Sequence, residues 1–130
     1  MIPNNGYDVY KNNTVNYASK EQLLLMLVDG AVKFSKRAEI ALNEKDIKAS
    51  HDNLIRTQGI MSELMVSLDT SAGDWAKQLF KVYEFIKEKL VQANLKKDVK
   101  VLQEVIPLIE DVRDLWYETY NKAKASGDIK

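Results

Sequence analysis

Six consecutive apolar residues, Leu23 to Val28, follow Ser19-Lys20-Glu21-Gln22. The four polar residues read as a helix start. The Ser19 hydroxyl can accept from an orphan amide of the first turn, and Gln22, three residues on, can reach back to it. At about 100° per residue the apolar run then goes right around the helix. A surface helix needs only one apolar stripe. This helix therefore has to meet apolar surface on more than one side, through deep burial or by keeping one side for a partner.

The chain of 130 residues implies one domain. At that length roughly two-thirds of the unfolded surface is buried on folding, enough for a core without staples. Five Gly and two Pro are too few for a turn-rich β-protein. Lys+Arg and Asp+Glu balance at 19 each, whereas a nucleic-acid binder carries a basic excess, so no nucleic-acid partner is expected. With no Cys, disulfide and thiol chemistry are ruled out, and a reducing cytoplasm fits. The Asn-rich start lacks the apolar segment of a signal peptide. The run from Leu23 is too short to span a membrane, so no membrane insertion is expected.

Residues 1–18 form a polar arm in which Tyr7, Tyr10 and Tyr17 stand among asparagines. It is either a frayed terminus or an arm whose rings dock on the body, since a Tyr with two rotatable angles loses little entropy on docking. Residues 19–123 hold four amphipathic segments, and 124–130 a loose polar tail. The first helix is expected over Lys20–Asn43, with Leu24, Leu27, Ala31, Phe34, Ala38 and Ala41 as its core stripe. The second, Ile47–Leu68, starts behind Asp46 as N-cap and turns inward Ile47, Leu54, Met61, Leu64, Met65 and Leu68. The third, Trp75–Leu95, is capped by Ser71 or Asp74 and turns inward Ala76, Leu79, Phe80, Tyr83, Ile86, Leu90 and Ala93. The fourth, Val99–Ala123 behind Asp98, repeats Leu102, Val105, Ile109, Val112, Trp116 and Thr119 at helical spacing. Pro107 removes an amide from its interior and is expected to kink it without ending it. Short links make the helices antiparallel neighbours. The fold class is all-α, an up-down-up-down four-helix bundle with a mobile N-terminal arm.

Little in the chain carries chemistry. His51 is the only histidine. It cannot supply the paired Glu-x-x-His motifs of a di-iron bundle. A phosphotransfer bundle is the alternative reading, but it wants an exposed mid-helix His beside a cation, and Asp52 and Asn53 follow His51 near a helix start. There is no Gly-flanked Ser nucleophile and no Gly-rich phosphate loop. No catalytic residue, metal ligand or cofactor is expected. Asp29 is either an exposed polar position or a hydrogen-bond anchor at the edge of an apolar groove. Gly30 inside a helix costs about 1 kcal/mol relative to Ala, offset by close approach of a foreign backbone or by packing on a neighbouring helix.

The positive feature is surplus apolar surface. Leu25, Val28, Val32, Ile55, Val66, Val82 and Phe85 fall outside single inward stripes. Together with Asp29 they are the candidate groove for another helix, and Met26, Met61 and Met65 make such grooves adaptable.

Three further stretches complete a pattern. Tyr7-x-x-Tyr10 and then Ala18 to Ala31 resemble the opening of the flagellar secretion chaperone FliS family. Gln58 to Asp69 resembles that family's second helix and its "EL..SLD" ending, and Leu79-Phe80-x-Val82-Tyr83-Glu84-Phe85-Ile86 its "L..LY.Y" helix. Leu102-x-Glu104-Val105 and Arg113-Asp114-x-Trp116 fit the fourth helix, so the likeness spans nearly the whole chain. The resemblance implies a cytoplasmic, non-enzymatic export chaperone. Such a protein binds the disordered C-terminal segment of flagellin, prevents its early polymerisation and delivers it to the flagellar type III secretion apparatus. It further implies that Tyr7 and Tyr10 cap the groove until the client arrives. Without client a monomer or weak homodimer is expected. Two positions depart from the family pattern: Val28, where many members have Tyr, and Pro107 in the fourth helix.

Overall fold

A computed structural model describes residues 19–127. Four helices account for most of them: α1 Lys20–Asn43, α2 Ile47–Ser67, α3 Asp74–Lys96 and α4 Val99–Ala125. A 3-10 turn, Thr70–Ala72, lies between α2 and α3, and no strand occurs among the described residues. α1 packs on α2 and α4, and α3 packs on the same two, while the diagonal pairs have no close backbone approach. This ring of neighbours is the up-down-up-down bundle that short links favour. The arm, with Tyr7 and Tyr10, lies outside the described residues.

The caps follow from residue chemistry. Ser19 accepts from the Gln22 amide at 3.1 Å, and the Gln22 side chain accepts from the Ser19 amide at 3.0 Å, closing the expected capping box. Asp46 accepts from the Ala49 amide and Asp98 from the Lys100 amide, at 3.0 and 2.9 Å. α3 is different, for neither Ser71 nor Asp74 caps it. Gly73 is the N-cap, with φ +152° and no capping side chain. That conformation is essentially restricted to glycine, and a Cβ there would stand 3.1 Å from the Trp75 ring. Ser71 is occupied with Asp69, whose carboxylate accepts from its amide and its hydroxyl. Those bonds hold the Asp69 carboxyl below its ordinary range.

α4 runs unbroken through Pro107 to Ala125, two residues past the expected end. Pro107 and Gln103 are both exposed, so the carbonyl that loses its partner has access to water.

The core stripes of α3 and α4 are those expected, except that Phe80 and Trp116 are only half-buried and Thr119 is exposed. Tyr83, Ile86, Leu90, Leu102, Val105 and Ile109 are all buried to within 1% exposure. In α2, Leu54, Met61 and Leu64 are buried, but Ile47, the first helical residue, is exposed. The larger correction concerns α1. Leu25, Val28 and Val32, read as surplus, are buried in the core, whereas Leu24, Leu27 and Phe34, read as core, are only half-buried. An apolar run that encircles a helix leaves its rotation undetermined. Small buried residues set it: Ala31, Ser35 and Ala38 lie on the inward arc and allow close packing, and the Ser35 hydroxyl donates to the Val32 carbonyl at 3.0 Å. Rotating α1 this way turns its largest side chains toward the seam with α2.

Candidate functional site

That seam is concave. Two adjoining hollows, each of about 490 Å³, share Leu27, Phe34 and Ile60. Leu23, Met26 and Gly30 of α1 extend the first, and Gly59 and Glu63 of α2 extend the second. Together they make one groove with apolar walls and a few polar groups on its rim, the form expected of a binding cleft.

Its two glycines differ in kind. A Cβ on Gly30 would stand 3.0 Å from Ile60 Cδ1, so Gly30 is explained by packing of α1 on α2. A Cβ on Gly59 would meet nothing within 4 Å. Gly in a helix interior costs about 0.5–1 kcal/mol relative to Ala, and no contact among the described residues offsets that cost at Gly59. A bare helix backbone at the wall of a groove lets another helix approach closely.

One end of the groove is basic. Lys33 Nζ, Arg56 Cζ and Arg37 Cζ stand 5.2, 5.3 and 5.9 Å from the centre of the Phe34 ring. All three side chains are exposed. The groove also carries Asp29 and Glu63.

Asp29 is exposed, and its carboxylate accepts from the Tyr117 hydroxyl of α4 at 2.5 Å. It borders the α1–α2 groove and ties α1 to α4. The bond to Asp29 raises the Tyr117 hydroxyl above its ordinary range. On the same side of the bundle, Trp116 Nε1 donates to the Tyr83 hydroxyl at 2.8 Å. Burial raises Tyr83 above its ordinary range.

The other expected groove residues fall in different places. Leu25, though buried, borders a smaller hollow of about 140 Å³ between α1 and α4, beside Leu24, Trp116 and Tyr120. Val28 and Val32 are buried in the core. Ile55 and Val66 are exposed and share the outer face of α2 with Gly59, by the 3.6-residue period. Val82 and Phe85 are exposed on the outer face of α3, where Trp75 joins them. Phe85 also borders a small hollow with Leu108 of α4. The structure therefore separates the expected set into core residues, an outer α2 patch and an outer α3 stripe. Leu27, Phe34, Gly59 and Ile60 were outside that set. The usable signal was Gly59 itself, a second glycine within an apolar helix segment.

The three methionines also separate. Met26 borders the groove, Met65 lies in a charged hollow between α2 and α3, and Met61 is core. His51 is tied down: Asn94 Nδ2 donates to its Nδ1 at 3.1 Å, and Lys97 donates to the Asn94 Oδ1. Its Nδ1 thus joins α2 to the end of α3, a structural role. Among the described residues no cluster of His, Asp and Glu is arranged to hold a metal ion, and no helix is long and apolar enough to cross a membrane.

Known proteins give this arrangement a context. The sequence model of the family described as flagellar protein FliS matches residues 3–123. The flagellar secretion chaperone FliS of Bacillus subtilis (strain 168) is 35% identical over 116 residues, covering 89% of this chain and 86% of its own. That of Escherichia coli (strain K12) is 32% identical, covering 82% and 80%. That of Campylobacter jejuni is 30% identical, covering 93% and 95%. A crystal structure of a bacterial flagellar chaperone superposes with a TM-score of 0.72, at 16% identity over 91% of this chain and 97% of that one, which supports the fold. With a family match across nearly its whole length and relatives above 30% identity, this chain belongs to the FliS family of flagellar secretion chaperones.

Proposed function

We propose that this protein is a cytoplasmic export chaperone for flagellin. It holds flagellin's disordered C-terminal segment, prevents premature polymerisation and delivers the client to the flagellar type III secretion apparatus. Family membership supports the role, and the α1–α2 groove, whose glycine wall nothing described covers, is the single observation that supports the place. It is a binding protein and performs no reaction.

The energetics ask for several contacts. A segment that folds on binding loses about 2–5 kcal/mol in ordering. Fully burying one large apolar side chain returns about 1.5–3 kcal/mol. One short helix in the α1–α2 groove is therefore a marginal ligand. A segment that also wraps the outer α2 patch of Ile55 and Val66 and the α3 stripe of Val82 and Phe85 gains a margin. This is the natural way for a self-associating amphipathic chain to be shielded. The arm joins α1 at Ser19, beside the hollow that Glu21 and Leu24 border. Tyr7 and Tyr10 cover apolar surface near that end and yield it to the client, which lowers apparent affinity and eases release. Deleting residues 1–18 tests this point, with tighter binding or a changed dissociation rate as the expected result.

Calorimetric titration of the protein with the C-terminal segment of its cognate flagellin tests the main reading. The expected result is saturable one-to-one binding with a large negative heat-capacity change, lost in Gly59→Leu. That variant fills the groove and leaves the core intact. No binding, or equal binding by Gly59→Leu, overturns it.

A further inference from the structure

Among the described residues no ion pair engages the basic collar around Phe34. The ion pairs among the described residues are Lys36–Glu110, Lys48–Asp52, Arg113–Asp114 and Lys122–Glu118, so none reaches Lys33, Arg37 or Arg56. Asp52, one turn before Arg56, is already held by Lys48 at 2.8 Å. Three like charges converge on one aromatic ring at the border of an apolar groove. Each gains only a modest attraction to the ring face, and they repel one another. A carboxylate placed there relieves that repulsion, and an Arg fork can bind it through two parallel hydrogen bonds. The collar lies at one end of the groove. Glu63, seven residues beyond Arg56, stands about 10 Å farther along α2 by the 1.5 Å helical rise, so the groove runs from basic to acidic.

The geometry points to the occupant of this groove: an amphipathic helix of the client that carries a side-chain carboxylate at one end of its apolar face. That carboxylate lies at the edge of the Phe34 ring, between Arg37 and Arg56. The opposite, more basic end lies toward Asp29 and Glu63. The bare wall at Gly59 admits its backbone, and the charge gradient sets which way round it lies. Apolar grooves hold a helix in either sense with similar energy, so charge is the discriminating element. The inference rests on the chaperone reading above and adds a polarity to it.

The test uses the full chain and the C-terminal segment of the cognate flagellin, titrated at low and high salt. Arg37→Gln/Arg56→Gln is expected to weaken binding about tenfold at low salt and to flatten the salt dependence. Arg37→Lys/Arg56→Lys is expected to bind more tightly than the Gln variant and less tightly than the wild type, since it keeps the charge and loses the two-bond fork. Reversal by Arg37→Glu/Arg56→Glu is expected to be rescued by a client segment with Lys in place of its acidic residues. Amidating the client's C-terminus is expected to change nothing, and a loss on amidation overturns the side-chain assignment in favour of the terminal carboxylate. Both substituted positions, Arg37 and Arg56, carry exposed side chains, and thermal melts confirm that the variants fold. If the Gln variant binds as the wild type does while Gly59→Leu does not bind, the polarity inference is wrong and the chaperone reading stands. If neither variant changes binding, the groove reading itself fails.

Discussion

At the scale of single residues, Gly59 separates what stabilises the fold from what equips it. Gly59→Ala adds a methyl where nothing is met within 4 Å and removes backbone freedom from the unfolded chain. The expected result is a gain of about 0.5–1 kcal/mol in urea unfolding, with weaker client binding. Gly30→Ala is expected to gain less, because its methyl displaces Ile60. Tyr83 provides a pH test. Burial holds its hydroxyl in the neutral form, so the unfolded chain releases this proton first as pH rises. Its contribution is complete below the ordinary Tyr value of about 10 and is lost as pH climbs through the raised folded value. Tyr83→Phe loses the bond from Trp116, about 0.5–1.5 kcal/mol at neutral pH. Its deficit is expected to shrink above about pH 10. Tyr117 titrates in the same direction through its bond to Asp29, so both proteins are compared in a Tyr117→Phe background by denaturant unfolding.

At the scale of elements, α2, α3 and α4 were legible because each carries one apolar stripe and a polar remainder. Asp46 and Asp98 marked their helix starts unambiguously. α1 was legible as a helix but not in its rotation. Six apolar residues in a row satisfy several phases equally, and the deciding residues, Ala31 and Ser35, are small and carry little hydrophobic signal. The candidate groove inherited that error: Leu25, Val28 and Val32 were assigned outward and Leu27 and Phe34 inward, whereas burial is the other way about. Gly73 as the cap of α3 was hidden for a different reason, since two better capping residues flank it. Pro107 gives an element-scale prediction. Pro107→Ala restores the amide for the Gln103 carbonyl at an exposed position. It is expected to raise stability by up to about 3 kcal/mol in thermal or urea unfolding. The groove signals of Leu27 and Ile60 are expected to stay in place, because α4 does not line the α1–α2 groove.

At the scale of the whole molecule, a ring of four helices closes one core and leaves four outer seams. Core and surface therefore respond separately to substitution. Leu54→Ala removes a fully buried side chain and is expected to cost about 2–5 kcal/mol of stability. Val82→Ser on the exposed α3 stripe is expected to change stability by no more than about 0.5 kcal/mol. It is expected to weaken client binding nonetheless, because a wrapping segment reaches that face. The most direct measurement is a methyl NMR titration of the protein with the C-terminal segment of its cognate flagellin. Met26, Leu27 and Ile60 are expected to shift saturably, with a matching change in the aromatic signals of Phe34, while Leu54 and Ile86 in the core hold still. Binding that leaves these groove signals untouched contradicts the assignment of the α1–α2 seam as the client's seat.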